Sequence, residues 1–378
     1  MDFQLSQDQK LLAETAASFA QKSSPVSRFR KLRDDPVGWD PAVWRQMGEL
    51  GWLALPLPEA AGGFGGSFVD VCILLEKLAT TLVPEPYLSS VVLAGMTLGH
   101  AGTAEQHERW LAPMLEGRST IALAWAERDA RYDPTRVATR AERTGDAWRL
   151  SGEKCWVLDG HHASQFVVSA VTDDGLALFV VDRSALGTTV TPTRTIDGRR
   201  AAFVRLDGAT VADDARLGAP GTAGRLLDRV LDGAAVAACA EGLGICQTVL
   251  DMTVGYLKTR EQFGVKIGTF QVLQHRAVDM FVQVELARSL TTLAAVKVGG
   301  DDDDERRKAV SAAKIQLSSG GSYVVRQAIQ LHGGIGVTDE HDVGLYFKRL
   351  VALNALFGDE EDHVARFAAR PGFSTTVC

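Results

Sequence analysis

Glu241, in Ala-Cys-Ala-Glu-Gly-Leu-Gly, is the only charged residue between Asp232 and Asp251, and Ala237, Ala238, Cys239, Leu243 and Ile245 surround it. A carboxylate so isolated has two uses. It is a general base whose proton affinity desolvation raises, or it is the counter-charge of a buried arginine. Nearby, REQFGVKIGTFQVLQHRAVDM (260–280) starts on an arginine, breaks at Phe263-Gly264, and resumes with Gln271, Gln274 and His275 among apolar residues. A guanidinium is a permanent cation with forked donors, and glycine lets backbone N–H groups approach an anion closely. Arg260 and the later Gly333-Gly334 are the residues of these types to weigh. Taken singly, each has a plainer reading, a surface ion pair for the arginine and a helix cap for the glycines.

Other chemistries lack an anchor. His161-His162 has no carboxylate or cysteine at metal-ligand spacing, and HExxH is absent. No GxSxG elbow and no GxGxxG after a strand occur. The glycine cluster PEAAGGFGGS (58–67) has no preceding strand and no following Lys-Ser or Lys-Thr, so it reads as a turn.

The elements that must position these residues fall into three blocks: 1–120, 121–218 and 219–378. In the first, LSQDQKLLAETAASFAQK places Leu5, Leu11, Leu12, Ala16, Phe19 and Ala20 at helical spacing, and further helices follow, broken by glycines and by Pro84 and Pro86. The second holds short β-branched runs such as QFVVSAVT and AAFVRLDGATV between Gly-Asp, Asp-Asp-Gly and Asp-Gly turns. It reads as an antiparallel β domain, since no helices intervene. In the third, nearly 40 residues of helix former run to Gly264. A second long helix follows, then the acidic connector GGDDDDERR (299–307), then a third helix closed by Gly333-Gly334. Long helices with short links read as a bundle of four-helix type.

Composition sets outer limits. The chain has 378 residues, 46% of them apolar and 23% charged, which suits a soluble protein of more than one domain. A net charge of −7 weakens nucleic acid as the main partner. Five cysteines, at 72, 155, 239, 246 and 378, form no CxxC pair and read as reduced core residues. The polar start does not resemble a signal peptide, and no run reaches the roughly 18 uninterrupted apolar residues of a membrane span. A cytoplasmic location is the expectation.

Four separated motifs, in order, resemble acyl-CoA dehydrogenases. REQFGVKIGTFQVLQHRAVDM is similar to RxxFGxxIxxFQxxQHxxADM, and QLHGGIGVTDE is similar to QxxGGxGxTxE. MGELGWLALPLPEAAGGFGG resembles the family's GW…PE…GG passage, and SGEKCWVLDGHHAS its GxKxWITNGxxA strand. The likeness spans almost the whole chain and is strongest to the small subunits of paired bacterial enzymes acting on dicarboxylyl or steroid-side-chain thioesters.

The resemblance implies FAD held between subunits. Arg260 would meet the diphosphate with Phe263 nearby, and Phe270 and Gln271 would lie along the adenosine end. Gln330, Leu331, His332, Gly333 and Gly334 would close over the nucleotide. Trp156 would stand beside the isoalloxazine ring, and Leu158 replaces a threonine near its N5 edge. The flavin-facing loop TEPGAGSD is AERDARYD (126–133) here, with Arg128, Asp129, Arg131 and Tyr132 in place of glycines and serine. That leaves electrostatic compensation or a weaker contact open. The implied reaction removes an α proton to a carboxylate and a β hydride to flavin N5, giving a trans-2-enoyl-CoA. An electron-transfer flavoprotein would take the electrons, and the assembly would be a homo- or hetero-tetramer. Neither usual base survives, because the matching positions are Phe357 and Ala234. Glu241, seven residues beyond Ala234 and so on nearly the same helix face, becomes the expected base, with Asp232 and Glu360 behind it. A non-catalytic partner that completes another chain's FAD site is the alternative.

Overall fold

The computed structural model describes residues 4–370. The three sequence blocks are distributed over two compact units. One gathers Met1–Phe29, Phe68–Val83 and Ala235–Cys378, and the other Arg30–Ser67 and Pro84–Ala234. The first block is thus divided. Its Gln7–Ser23 and Phe68–Ala79 helices pack on each other and belong to the bundle unit, where Gln9 donates to Asp70 at 2.8 Å. Tyr346 Oη donates to the Thr80 carbonyl at 2.7 Å and Arg288 reaches Glu76 at 3.3 Å, tying the same segment to the later helices.

The sheet unit holds β1 (Ile121–Ala124), β2 (Arg140–Thr144), β3 (Ala147–Leu158), β4 (Gln165–Thr172), β5 (Gly175–Asp182), β6 (Thr188–Arg194), β7 (Arg200–Ala212) and β8 (Arg216–Leu217). Their order is β6-β7-β3-β2-β4-β5-β8, with β1 also beside β4. Hairpins join β2 to β3, β4 to β5 and β6 to β7 at the Gly-Asp, Asp-Asp-Gly and Asp-Gly turns. One expectation is corrected. β1 runs parallel to β4, and β2 touches β4 in parallel at Arg140–Val171. A loop and the β2–β3 hairpin separate β1 from β4, and so long a connection permits a crossover that a two-residue turn forbids.

In the bundle, Ala223–Thr259 is one helix of 37 residues and Gln271–Val298 one of 28. The first is long and apolar enough to cross a membrane, yet 89% of its most apolar window is buried in the fold, as a core helix would be. The acidic run is more than a connector. Asp302 caps the Asp303–Gln316 helix by accepting from the N–H groups of Asp304 and Glu305, and the acids of the first turn face the positive end of the helix dipole. The expected third helix is continuous to His332 but passes through a π turn at Leu317–Gly321. Gly242 sits against that turn, where a Cβ would lie 2.4 Å from Leu317 Cδ1 and would push that side chain aside.

Candidate cofactor site and buried carboxylate

The break at Phe263-Gly264 is a tight hairpin. Glu261–Gln262 and Val265–Lys266 pair antiparallel, with Phe263 at φ 56° and Gly264 at φ 77°. Two successive positive φ values define the turn that matches strand twist, and they turn Phe263 outward, 85% exposed. The hairpin ends the long helix and places Arg260 at the mouth of a surface cleft of about 520 Å³.

Arg260, Gln330, Leu331, His332, Gly333 and Gly334 all line this cleft. Phe263, Phe270 and Gln271 do not. Phe263 and Phe270 meet edge to face at 6.2 Å outside it. Gly333 closes the Ser322–His332 helix at φ 64° and ψ −143°, a conformation open in practice only to glycine. A Cβ at Gly333 or at Gly334 would meet nothing within 4 Å, so the space beside this backbone is free for a ligand.

His332 is 2% exposed and hydrogen bonds the Ala328 carbonyl through Nδ1 at 2.8 Å. Its ring lies between Tyr256 and His341, with centroids 4.7 and 4.5 Å away. Burial lowers its pKa, the Ala328 bond opposes that, and His341 adds to the lowering. A neutral ring that donates from Nδ1 leaves Nε2 as a bare acceptor, and that atom is buried without a partner. An orphaned acceptor, a cation and open glycine backbone fit the hydroxyl and phosphate groups of a dinucleotide such as FAD. Arg276, Tyr256 and Ile267 also line the cleft and were not singled out in the sequence. Arg276 had a visible signal, as the cation of QHRAVDM.

In the sheet unit, Trp156 lies where the β3–β7 register shifts between Lys154 and Val157. Its φ of 51° is a left-handed conformation rare for a bulky residue, and 55% of the side chain is exposed. A bulge that turns a large ring outward is how a strand aims a side chain at a ligand. The ring packs against Phe203 at 5.6 Å. Leu158, two residues on, pairs with Ala201 in the ladder.

The AERDARYD loop is anchored by Glu127, which sequence reasoning passed over. This carboxylate accepts from Lys154 Nζ at 2.7 Å, from Thr139 Oγ1 at 2.7 Å, and from the Ala138 and Thr139 N–H groups. Lys154 is fully buried and also donates to Ser169 Oγ at 2.9 Å. Burial brings its pKa down to about 8, against the opposing pull of Glu127.

Glu241 is 4% exposed, and Arg349 grips it bidentately, Nε to Oε1 and Nη2 to Oε2, each at 2.7 Å. Of the two roles open from sequence, this is the geometry of the second, a carboxylate neutralising a buried arginine. Both oxygens accept from a permanent cation, which favours the structural role for Glu241 over that of a base. Asp232 is buried and Glu360 is exposed in the first turn of the Glu360–Ala368 helix. Phe357 is buried at φ 59° and Ala234 is fully buried, so neither position carries a base. Cys72, Cys239 and Cys246 are buried and free, Cys155 is half-buried, and Cys378 lies outside the described residues. No metal-ligating cluster occurs among the described residues.

A helical unit that carries a cleft suited to a dinucleotide, and a second unit built on a sheet, are the parts of a nucleotide-binding protein. The chain belongs to the acyl-CoA dehydrogenase family. The family's N-terminal domain matches residues 6–118, its middle domain 122–207 and its C-terminal domain 224–371. A probable acyl-CoA dehydrogenase of Bacillus subtilis, YngJ, is 30% identical over 91% of this chain and 92% of its own length. The ChsE4-ChsE5 complex from Mycobacterium tuberculosis is similar in structure, with a TM-score of 0.89 at 28% identity over 97% of this chain and 98% of the other. The Tcur3481-Tcur3483 steroid enzyme gives 0.86 at 31% identity over 96% and 97%. The family is one of oxidoreductases that use FAD, and this chain is a member of that enzyme class.

Proposed function

We propose that this chain is one subunit of a heteromeric acyl-CoA dehydrogenase that forms trans-2-enoyl-CoA. In this reading it supplies a nucleotide-holding cleft, and its companion chain supplies the proton-abstracting carboxylate. The Glu241–Arg349 pair carries the second half of the proposal. A general base needs an oxygen free to reach the substrate's α proton, and both oxygens of Glu241 accept from a guanidinium instead. Bound FAD supplies the hydride acceptor. The cleft residues of this chain would hold its nucleotide part, with Arg260 and the Gly333-Gly334 backbone toward phosphate and His332 Nε2 as an acceptor.

An exposed apolar face supports assembly with another chain. Val272, Val278, Val282, Leu286 and Leu293 lie on one side of the Gln271–Val298 helix, each at least 39% exposed. A contiguous patch of this kind marks a protein interface. The similar structures bearing two-chain names support the same reading. An α2β2 tetramer in the cytoplasm, passing electrons to an electron-transfer flavoprotein, completes the proposal.

The test is coexpression with the neighbouring chain, followed by flavin absorbance and bleaching with acyl-CoAs. A yellow complex that bleaches, and still bleaches with Glu241→Gln, is the expected result. If the variant complex keeps its flavin and its fold but no longer bleaches, Glu241 is the base and the division of labour falls. A complex that stays colourless after FAD is added removes the cofactor reading altogether.

A further inference from the structure

We infer that Arg276 is a second phosphate-holding cation of the cleft, so that two guanidinium groups, Arg260 and Arg276, together bind the diphosphate of the dinucleotide. The inference rests on the FAD reading above and assigns a residue that the family motifs do not single out.

The two arginines reach the cleft from different elements. Arg260 follows the Ala223–Thr259 helix, and Arg276 lies in the second turn of the Gln271–Val298 helix. No aspartate or glutamate lines the cleft, and neither guanidinium has a carboxylate within ion-pairing distance among the described residues. Arg276 Nη1 donates to Gln327 Oε1 at 3.4 Å, a neutral partner that steers the side chain without cancelling its charge. Two unneutralised permanent cations on one small surface repel each other, and the arrangement is stable once an anion of matching charge lies between them. A diphosphate carries two charges, and arginine's forked donors suit phosphate oxygens. Gly333 and Gly334 with their open backbone, and His332 with its unpartnered Nε2, line the same cleft, so neighbouring groups of one ligand are provided for.

FAD binding to the deflavinated complex, followed by quenching of flavin fluorescence at low and high salt, tests this directly. Loss of one charge-assisted contact predicts that Arg276→Gln weakens binding by about tenfold or more. The salt dependence should become shallower than in the parent, and Arg276→Lys should recover part of the affinity. ADP serves as a second probe, and its binding should fall with that of FAD because it carries the same diphosphate. The thermal midpoint of the deflavinated complex should not change, since Arg276 has no buried partner to lose. Parent-like affinity for both probes in Arg276→Gln, with Arg260→Gln impaired, overturns the inference and leaves the FAD reading standing. Parent-like affinity in both variants removes the cleft as the nucleotide site.

Discussion

Arg349 donates through Nε and Nη2 to the two oxygens of Glu241, and this forked pair joins the Ala223–Thr259 and Val343–Ala355 helices inside the bundle. Removing one member takes a bidentate charged partner from the other in a medium that solvates charge poorly. Glu241→Ala should therefore cost about 3–5 kcal/mol, whereas the double variant Glu241→Leu, Arg349→Met should recover most of it. Urea denaturation of the three proteins measures the difference. A single variant no less stable than the double would deny the pair its structural weight.

Gly333 and Gly334 are adjacent but should fail differently. Gly333→Ala forces a side chain into φ 64°, ψ −143°, at about 1–3 kcal/mol of strain, although nothing stands in its way. Gly334 has no positive φ, so Gly334→Ala should leave stability unchanged and weaken only flavin binding by crowding the backbone donors. Thermal midpoints set beside flavin affinities separate the two effects, and equal loss of stability in both variants would count against this account.

Trp156 is held at a backbone angle that costs about 1–2 kcal/mol and contributes a half-exposed ring. Trp156→Gly should thus change stability little, because relief of strain offsets the lost contact with Phe203. Trp44, 1% exposed, is the control, and Trp44→Ala should cost about 3–5 kcal/mol. Denaturation curves decide it. Comparable losses at the two positions would mark Trp156 as ordinary core.

His363 is fully buried, bonded through Nε2 to the Phe357 carbonyl at 3.0 Å and through Nδ1 to Ser311 Oγ at 3.3 Å. Burial, then the positive charges of Arg366 and Lys314, push its pKa down to about 3, against the Phe357 bond. The unfolded chain takes up a proton below its ordinary value of 6.5, while the fold refuses one until about 3. Stability from this residue is therefore complete above 6.5 and falls as pH drops through that window, by up to about 1.4 kcal/mol per pH unit. His363→Asn should be less stable than the parent at neutral pH, and the gap should narrow toward pH 4. A gap independent of pH in thermal scans would refute the assignment.

Much of the fold was legible because it depends on near neighbours. The Gly-Asp and Asp-Gly turns, the alternating strands around Trp156 and the glycine stop at 333 each depend on a few adjacent residues. The cleft residues Arg260 and 330–334 were legible because they sit in dense motifs. The parallel β1–β4 pairing was not, since a short apolar run carries no mark of direction.

What the sequence determined alone was the kind of element along the chain and the two short stretches that build the cleft, because backbone propensity and turn chemistry act locally. Tertiary structure decided which charges meet. Glu241 finds Arg349 across 108 positions and Glu127 finds Lys154 across 27. Among the described residues Arg276 has no carboxylate partner, although Asp279 is three residues away. The reason is geometric. A side chain's partner depends on how each helix is rotated and where it crosses the next, and those are set by packing of the whole core rather than by any local run of residues.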